Sequence, residues 1–248
     1  MKRLVPLCAI ASALSLGFAA ACNPTGGVPI ELALSFEGIG PRTFVTSSGW
    51  EVELTEARAI VGPIYAYAPR DEMAALVRAL APSRALAHGG HSPLDGHLVR
   101  AELLEPRVID ALDANASEVA LLSGFAGPID ALTIVLAPPE GELAAPNGPT
   151  RGHHVFVAGT ASRDGVEVAF DGGLDLEDER LRRVDGVFAE GVLGEGSRLI
   201  VGADARAWLL EADFTDGGAI AEGTQPHRAL YLGARSAASW AARVEGGE

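Results

Sequence analysis

The chain has 248 residues, 48% of them hydrophobic, with 33 acidic against 19 basic side chains and a net charge of −14. An acidic chain with no basic stripe argues against nucleic acid as a partner and against peripheral binding to anionic lipid. Nearly half apolar composition over this length is enough to bury one large core without staples.

The chain opens with Met1-Lys2-Arg3, an apolar run from Leu4 to Phe18, then Ala19-Ala20-Ala21-Cys22. That is the charged, apolar and small-residue order of a secretory signal. The run contains Pro6 and Gly17 and falls short of the roughly 20 apolar residues that span a bilayer. A cysteine directly after three small residues resembles the lipobox of bacterial lipoproteins. The resemblance implies that residues 1–21 are removed and that Cys22 carries the acyl chains, several of which anchor stably where one does not. Residues 22–30 then form a lipidated tether and residues 31–248 a single domain. Loss of Lys2 and Arg3 takes the net charge to about −16 by side-chain counting. Cys8 leaves with the signal, so the mature domain has no thiol pair and cannot be disulfide-stapled.

Period-two alternation marks the strands. Trp50, Val52 and Leu54 share one face, with Glu51, Glu53 and Thr55 on the other. Ile60 to Tyr67, broken by Gly62-Pro63, reads as an edge or bulged strand. Asp71 to Leu80 has helical spacing, with Asp71 as N-cap, Met73, Leu76, Val77 and Leu80 on one stripe and Pro82 beyond the end. Leu132, Ile134 and Leu136 alternate up to Pro138-Pro139, and the Glu140 to Gly152 stretch reads as a long inter-strand loop. Val155 to Ala161, the turn Ser162-Arg163-Asp164-Gly165 and Val166 to Phe170 predict a β-hairpin with an Asp-Gly turn. Arg198 to Ala203 is a further strand, and a short helix after Asp204 carries Trp208 and Leu209 inward. Many short strands with one or two short helices predict a mostly β domain, an antiparallel β-sandwich.

Chemistry concentrates in histidine. Three of the six lie within ten residues, at His88, His91 and His97, with Asp95 among them. A His-x-x-His pair in a Gly-rich loop can bring two imidazole nitrogens to one ion. His153-His154 opens the predicted hairpin. His153 shares parity with Val155 and Val157 and lines the interior if those face the core, whereas His154 shares parity with Phe156. With Met73 the single methionine after the signal and no mature cysteine except Cys22, a soft sulfur cage for Cu(I) is absent. Imidazole with an optional carboxylate suits Cu(II) or Zn(II). The alternative is a solvated Gly-rich loop with histidines that only hydrogen-bond backbone.

Other clusters are weaker. Asp171, Asp175, Glu177, Asp178 and Glu179 lack the spacing of an EF-hand, and with Arg180, Arg182 and Arg183 directly after them they read as a solvated charged loop. No nucleophile elbow, P-loop or dinucleotide fingerprint is present. Trp50, Trp208, Tyr65 and Phe214 read as core and interface aromatics.

Three segments carry a family likeness: the lipobox, the stretch from Gly49 to Ala59 with its sequel Val61 to Tyr65, and Trp208-Leu209-Leu210-Glu211-Ala212-Asp213-Phe214. These scattered motifs resemble the copper-binding periplasmic β-sandwich lipoproteins associated with methanobactin uptake. The family's copper site can use an oxidised tryptophan beside histidines. Trp50 has no adjacent histidine, so that feature is not carried over. The sequence therefore leads to an envelope protein, lipid-anchored to the inner or outer membrane, that binds Cu(II) or Zn(II) through His88 and His91, with His97, His153 or Asp95 completing the site. Its rival is a non-enzymatic interaction module that binds another envelope protein. A metal-dependent hydrolase with Glu102 as general base comes last, for want of a zinc-hydrolase motif.

Overall fold

The computed structural model describes residues 28–69 and 97–246. Among the described residues the domain is mostly β, with thirteen strands and two short α-helices. The strands are β1 (Pro29–Gly38), β2 (Thr43–Val45), β3 (Glu51–Tyr67), β4 (Val99–Leu103), β5 (Arg107–Asp110), β6 (Ser117–Phe125), β7 (Gly127–Leu136), β8 (Val155–Arg163), β9 (Val166–Leu174), β10 (Arg183–Leu193), β11 (Arg198–Ala203), β12 (Ala219–Ile220) and β13 (Trp240–Glu245). The helices are α1 (Ala205–Leu209) and α2 (Gln225–Ala234). No helix among the described residues is long and apolar enough to cross a membrane.

The pairing runs β3-β4-β6-β1-β11-β13-β10-β7 and returns to β3, so the sandwich closes on itself along both margins. Every strand of this ring turns alternate apolar side chains inward, as period two requires. Leu32, Leu34 and Phe36 of β1, Ile64 of β3, Leu132, Ile134 and Leu136 of β7 and Leu199 and Val201 of β11 share one buried core. Most pairs are antiparallel, but β1–β11, β10–β13 and β12–β9 are parallel. Alternation records which face a residue takes and not the direction of its neighbour, so the sequence predicts the sandwich without its mixed pairing. β1 begins at Pro29, inside the stretch assigned to the tether, because Ile30 is already buried in the core.

β3 organises the molecule. Its first half pairs with β2 and β8, and its second half with β4 and β7. The handover falls at Gly62-Pro63, a cis peptide where the β3–β7 register shifts. Proline lacks the N–H of a regular ladder, so the break is where sequence places it. The segment is bulged but not an edge, since strands flank it on both sides.

The β8–β9 hairpin turns through Asp164 (φ 54°) and Gly165 (φ 80°), both in the left-handed region that a two-residue hairpin turn demands. Asp204 caps α1 by accepting the N–H of Ala207, and Trp208 and Leu209 point into the core. Thr224 caps α2 in the same way through the N–H of His227.

Candidate metal centre

His88, His91 and Asp95 lie outside the described residues. Residues 70–96 connect β3 to β4, and their feet are tied by the Ala68 N–H, which donates to the Leu98 carbonyl at 2.9 Å. His97 sits at this tie. Its half-buried ring stands edge-on to Tyr67, 5.9 Å between centroids and 78° between planes. Its Nδ1 is buried and has no hydrogen-bond partner among the described residues. An imidazole nitrogen left so costs about 1–3 kcal/mol unless a ligand takes it up. Chain length alone keeps Asp95 within about 7 Å and His91 within about 20 Å of His97 between Cα atoms.

The floor under His97 is polar. Tyr65 and Tyr67 share the outer face of β3 with Thr133 of β7, directly opposite Tyr65. The Thr133 hydroxyl donates to Asp185 at 2.6 Å, and the Arg183 guanidinium donates to the same oxygen at 2.8 Å. Burial pushes the Tyr67 phenol up to about 12. Burial, and then Glu102 across the β3–β4 ladder, also raise Tyr65.

The second histidine cluster lies elsewhere. His153 Nδ1 is 2.9 Å from Asp175 Oδ2, and its ring stacks on Phe156 at 6.3 Å and 13°. The ring also covers Gly173, where any added Cβ would meet it at 2.2 Å. His154 is only 6% exposed; its N–H donates to the Leu174 carbonyl and its carbonyl accepts from Ile60. Its Nδ1 is 3.4 Å from the Leu176 N–H and 3.7 Å from Asp175 Oδ1, while Nε2 is buried without a partner among the described residues. Thus His154, not His153, is the interior residue. Strand alternation starts only at Val155, and His153 and His154 lie in the bend before it, so the parity carried backward from Val155 and Val157 does not apply to them.

His97 and His153 do not come together. The first packs on Tyr67 and the second neighbours the residue that bonds Ile60, so they are set seven positions apart along β3, on the order of 20 Å at about 3.3 Å per residue. One ion cannot bridge that span. Among the described residues, no group of three or more His, Cys, Asp and Glu side chains is placed to hold a metal ion. Glu102 faces a groove of about 710 Å³ that it shares with Arg100, Ser123 and Phe125. The acidic run is tied into local structure: Asp175 serves His153, Asp178 caps a single turn at Glu179–Arg182, and Arg182 donates back to the Leu176 carbonyl. Trp50 donates its Nε1–H to Asp213 and lies under the Arg163 guanidinium. Sequence missed Asp175 as a histidine partner, because only the β8–β9 register brings residue 175 beside residue 153.

His154 makes stability depend on pH. Burial holds its imidazole below the ordinary histidine range, Arg182 adds to this, and Asp175 opposes it. A base whose folded pKa is depressed gives full stability above the unfolded value of about 6.5 and loses it as pH falls from there toward the folded value. Urea unfolding at pH 7.5 and 5.5 is expected to show this loss in the native protein and a shallower one in His154→Gln. Equal slopes in the two proteins would remove His154 as the cause.

No protein-family model matches the chain, and no curated protein matches it. Among solved structures, it is similar to MbnP from Methylosinus trichosporium, with 11% identity over 82% of this chain and 86% of that one and a TM-score of 0.39.

Proposed function

We propose that this chain is a lipid-anchored envelope protein that binds a transition metal, Cu(II) or Zn(II), through the imidazoles of His88, His91 and His97, with Asp95 as an available carboxylate ligand. The observation that carries the reading is the buried Nδ1 of His97, without a hydrogen-bond partner among the described residues, at the foot of the connection that holds the other three residues. A nitrogen lone pair at that place suits a borderline cation, and Tyr67 fixes the ring that bears it. His153 has its Nδ1 engaged by Asp175 and serves the hairpin instead. Capture or delivery of the ion in the periplasm gives the anchor a purpose and requires no catalytic group.

Metal analysis and calorimetric titration of the mature protein with Cu(II) and Zn(II) test the reading. The native protein is expected to bind one ion, His88→Ala/His91→Ala to lose it, and His97→Ala to bind roughly tenfold or more weakly, the scale on which metal sites respond to lost support. His153→Ala should bind as the native protein does. Affinity should fall as the solution is acidified, since protons compete with the metal for imidazole nitrogen. Equal weak uptake by all four proteins would leave an envelope interaction module in its place.

A further inference from the structure

One end of the sandwich combines exposed apolar side chains with the entry of the chain. Val28 is 70% exposed, Val192 62% and Phe125 41%. They are neighbours. The Val28 carbonyl accepts from Ala126, Pro29 is paired with Phe125, and Val192 is paired with Pro128. Val28 and Val192 rim one hollow of about 490 Å³ with Ala126 and Leu193, and Phe125 borders the adjoining groove beside Pro29. An exposed apolar cluster of this kind marks a contact surface more often than a scatter of single residues does.

The chain itself says which surface is near. Val28 is six positions after Cys22, so even a fully extended tether holds Val28 within about 20 Å of an acylated Cys22. We infer that the end formed by Val28, Phe125 and Val192 seats in the headgroup layer of the bilayer that holds the anchor. The inference rests on reading Cys22 as the acylated residue. Phe125 and the two valines supply the apolar contact, as at other interfacial sites. Glu31, Glu102 and Glu195 around the same grooves, against Arg100, make uncharged headgroups the preferred surface.

The test uses the full-length lipoprotein, processed in a bacterial host and reconstituted into phosphatidylcholine vesicles. The mass of its N-terminal peptide reports acylation of Cys22 separately from the docking measurement. Val192→Cys, and as a control Val166→Cys at the far hairpin turn, each carry an environment-sensitive fluorophore. At position 192 the expected result is a blue-shifted emission, quenching by a lipid-borne nitroxide and loss of most quenching by aqueous iodide. At position 166 iodide should quench fully. Adding Phe125→Asp should return the 192 label to the aqueous pattern, with Cys22 still acylated. Iodide quenching that is equal at both positions in an acylated protein overturns the docking and leaves the anchor standing. An unacylated Cys22 overturns both. Protection of the 192 label in detergent solution as well as in vesicles would assign the surface to a second copy of the chain and also overturns the proposal.

Discussion

Trp208→Ala is expected to lower the unfolding free energy by about 3–5 kcal/mol, the cost of deleting a large buried aromatic. Trp208 is fully buried at the junction of the two helices, with the Trp240 ring 5.9 Å away. Gly233 of α2 lies so close that any Cβ there would come within 2.5 Å of the Trp208 backbone. Helix and backbone contacts on two sides prevent the site from collapsing into the cavity, so the loss should fall in the upper part of that range. Trp208→Phe should cost much less than the alanine variant. The indole N–H has no partner among the described residues, and removing it offsets part of the lost packing. Urea unfolding with an unchanged m-value checks both. A cost under 1 kcal/mol for the alanine variant would show that α1 and α2 repack.

Gly159→Val is expected to destabilise by roughly 3 kcal/mol or more, above the usual range for overpacking, because backbone and not side chain stands in the way. Gly159 lies in β8 opposite Leu54 of β3 and Phe170 of β9. An added Cβ would meet the Glu53 carbonyl oxygen at 2.2 Å and the edge of the Phe170 ring at 2.9 Å. The β3–β8 register shifts just here, between Leu54 and Glu56, so the carbonyl is held by a bulge that cannot slide without displacing the ladder. Gly159→Ala should cost less than valine and more than Gly165→Ala, whose Cβ meets nothing within 4 Å and whose penalty is the left-handed turn alone. Thermal unfolding of the three variants orders them. Alanine tolerated at 159 without loss would mean that β8 moves away from β3.

Faces were easier to read than connections. Val52 and Leu54, and Leu132, Ile134 and Leu136, are buried as their alternation predicts, and Arg198–Ala203 is a strand over its predicted length. The Asp164-Gly165 turn and the helix after Asp204 follow from local chemistry, where one residue type meets one backbone demand. What sequence could not supply was long-range. The parallel pairing of β1 with β11 joins residues more than 160 positions apart and leaves no periodic trace. α2 escaped notice although Thr224 and Pro226 mark its start, because its small and polar residues make only a weak apolar stripe. At the site, imidazole chemistry pointed to His97, which the structure places edge-on to Tyr67. It could not show that β3 holds His97 and His153 apart. The predicted helix Asp71 to Leu80 lies outside the described residues.

The return of the strand path from β7 to β3 bears on how copies of the chain would meet at high local concentration. A sandwich with free margins offers unpaired N–H and C=O groups to every neighbour, and anchoring to a membrane raises the local concentration of such neighbours. Here the eight-strand circuit keeps its backbone groups occupied. The branch through β8 and β9 is finished by β12, which is two residues long. Were copies of this protein packed side by side, as the proposed anchor would place them, they would meet through side chains, with little backbone for a cross-β stack to start from.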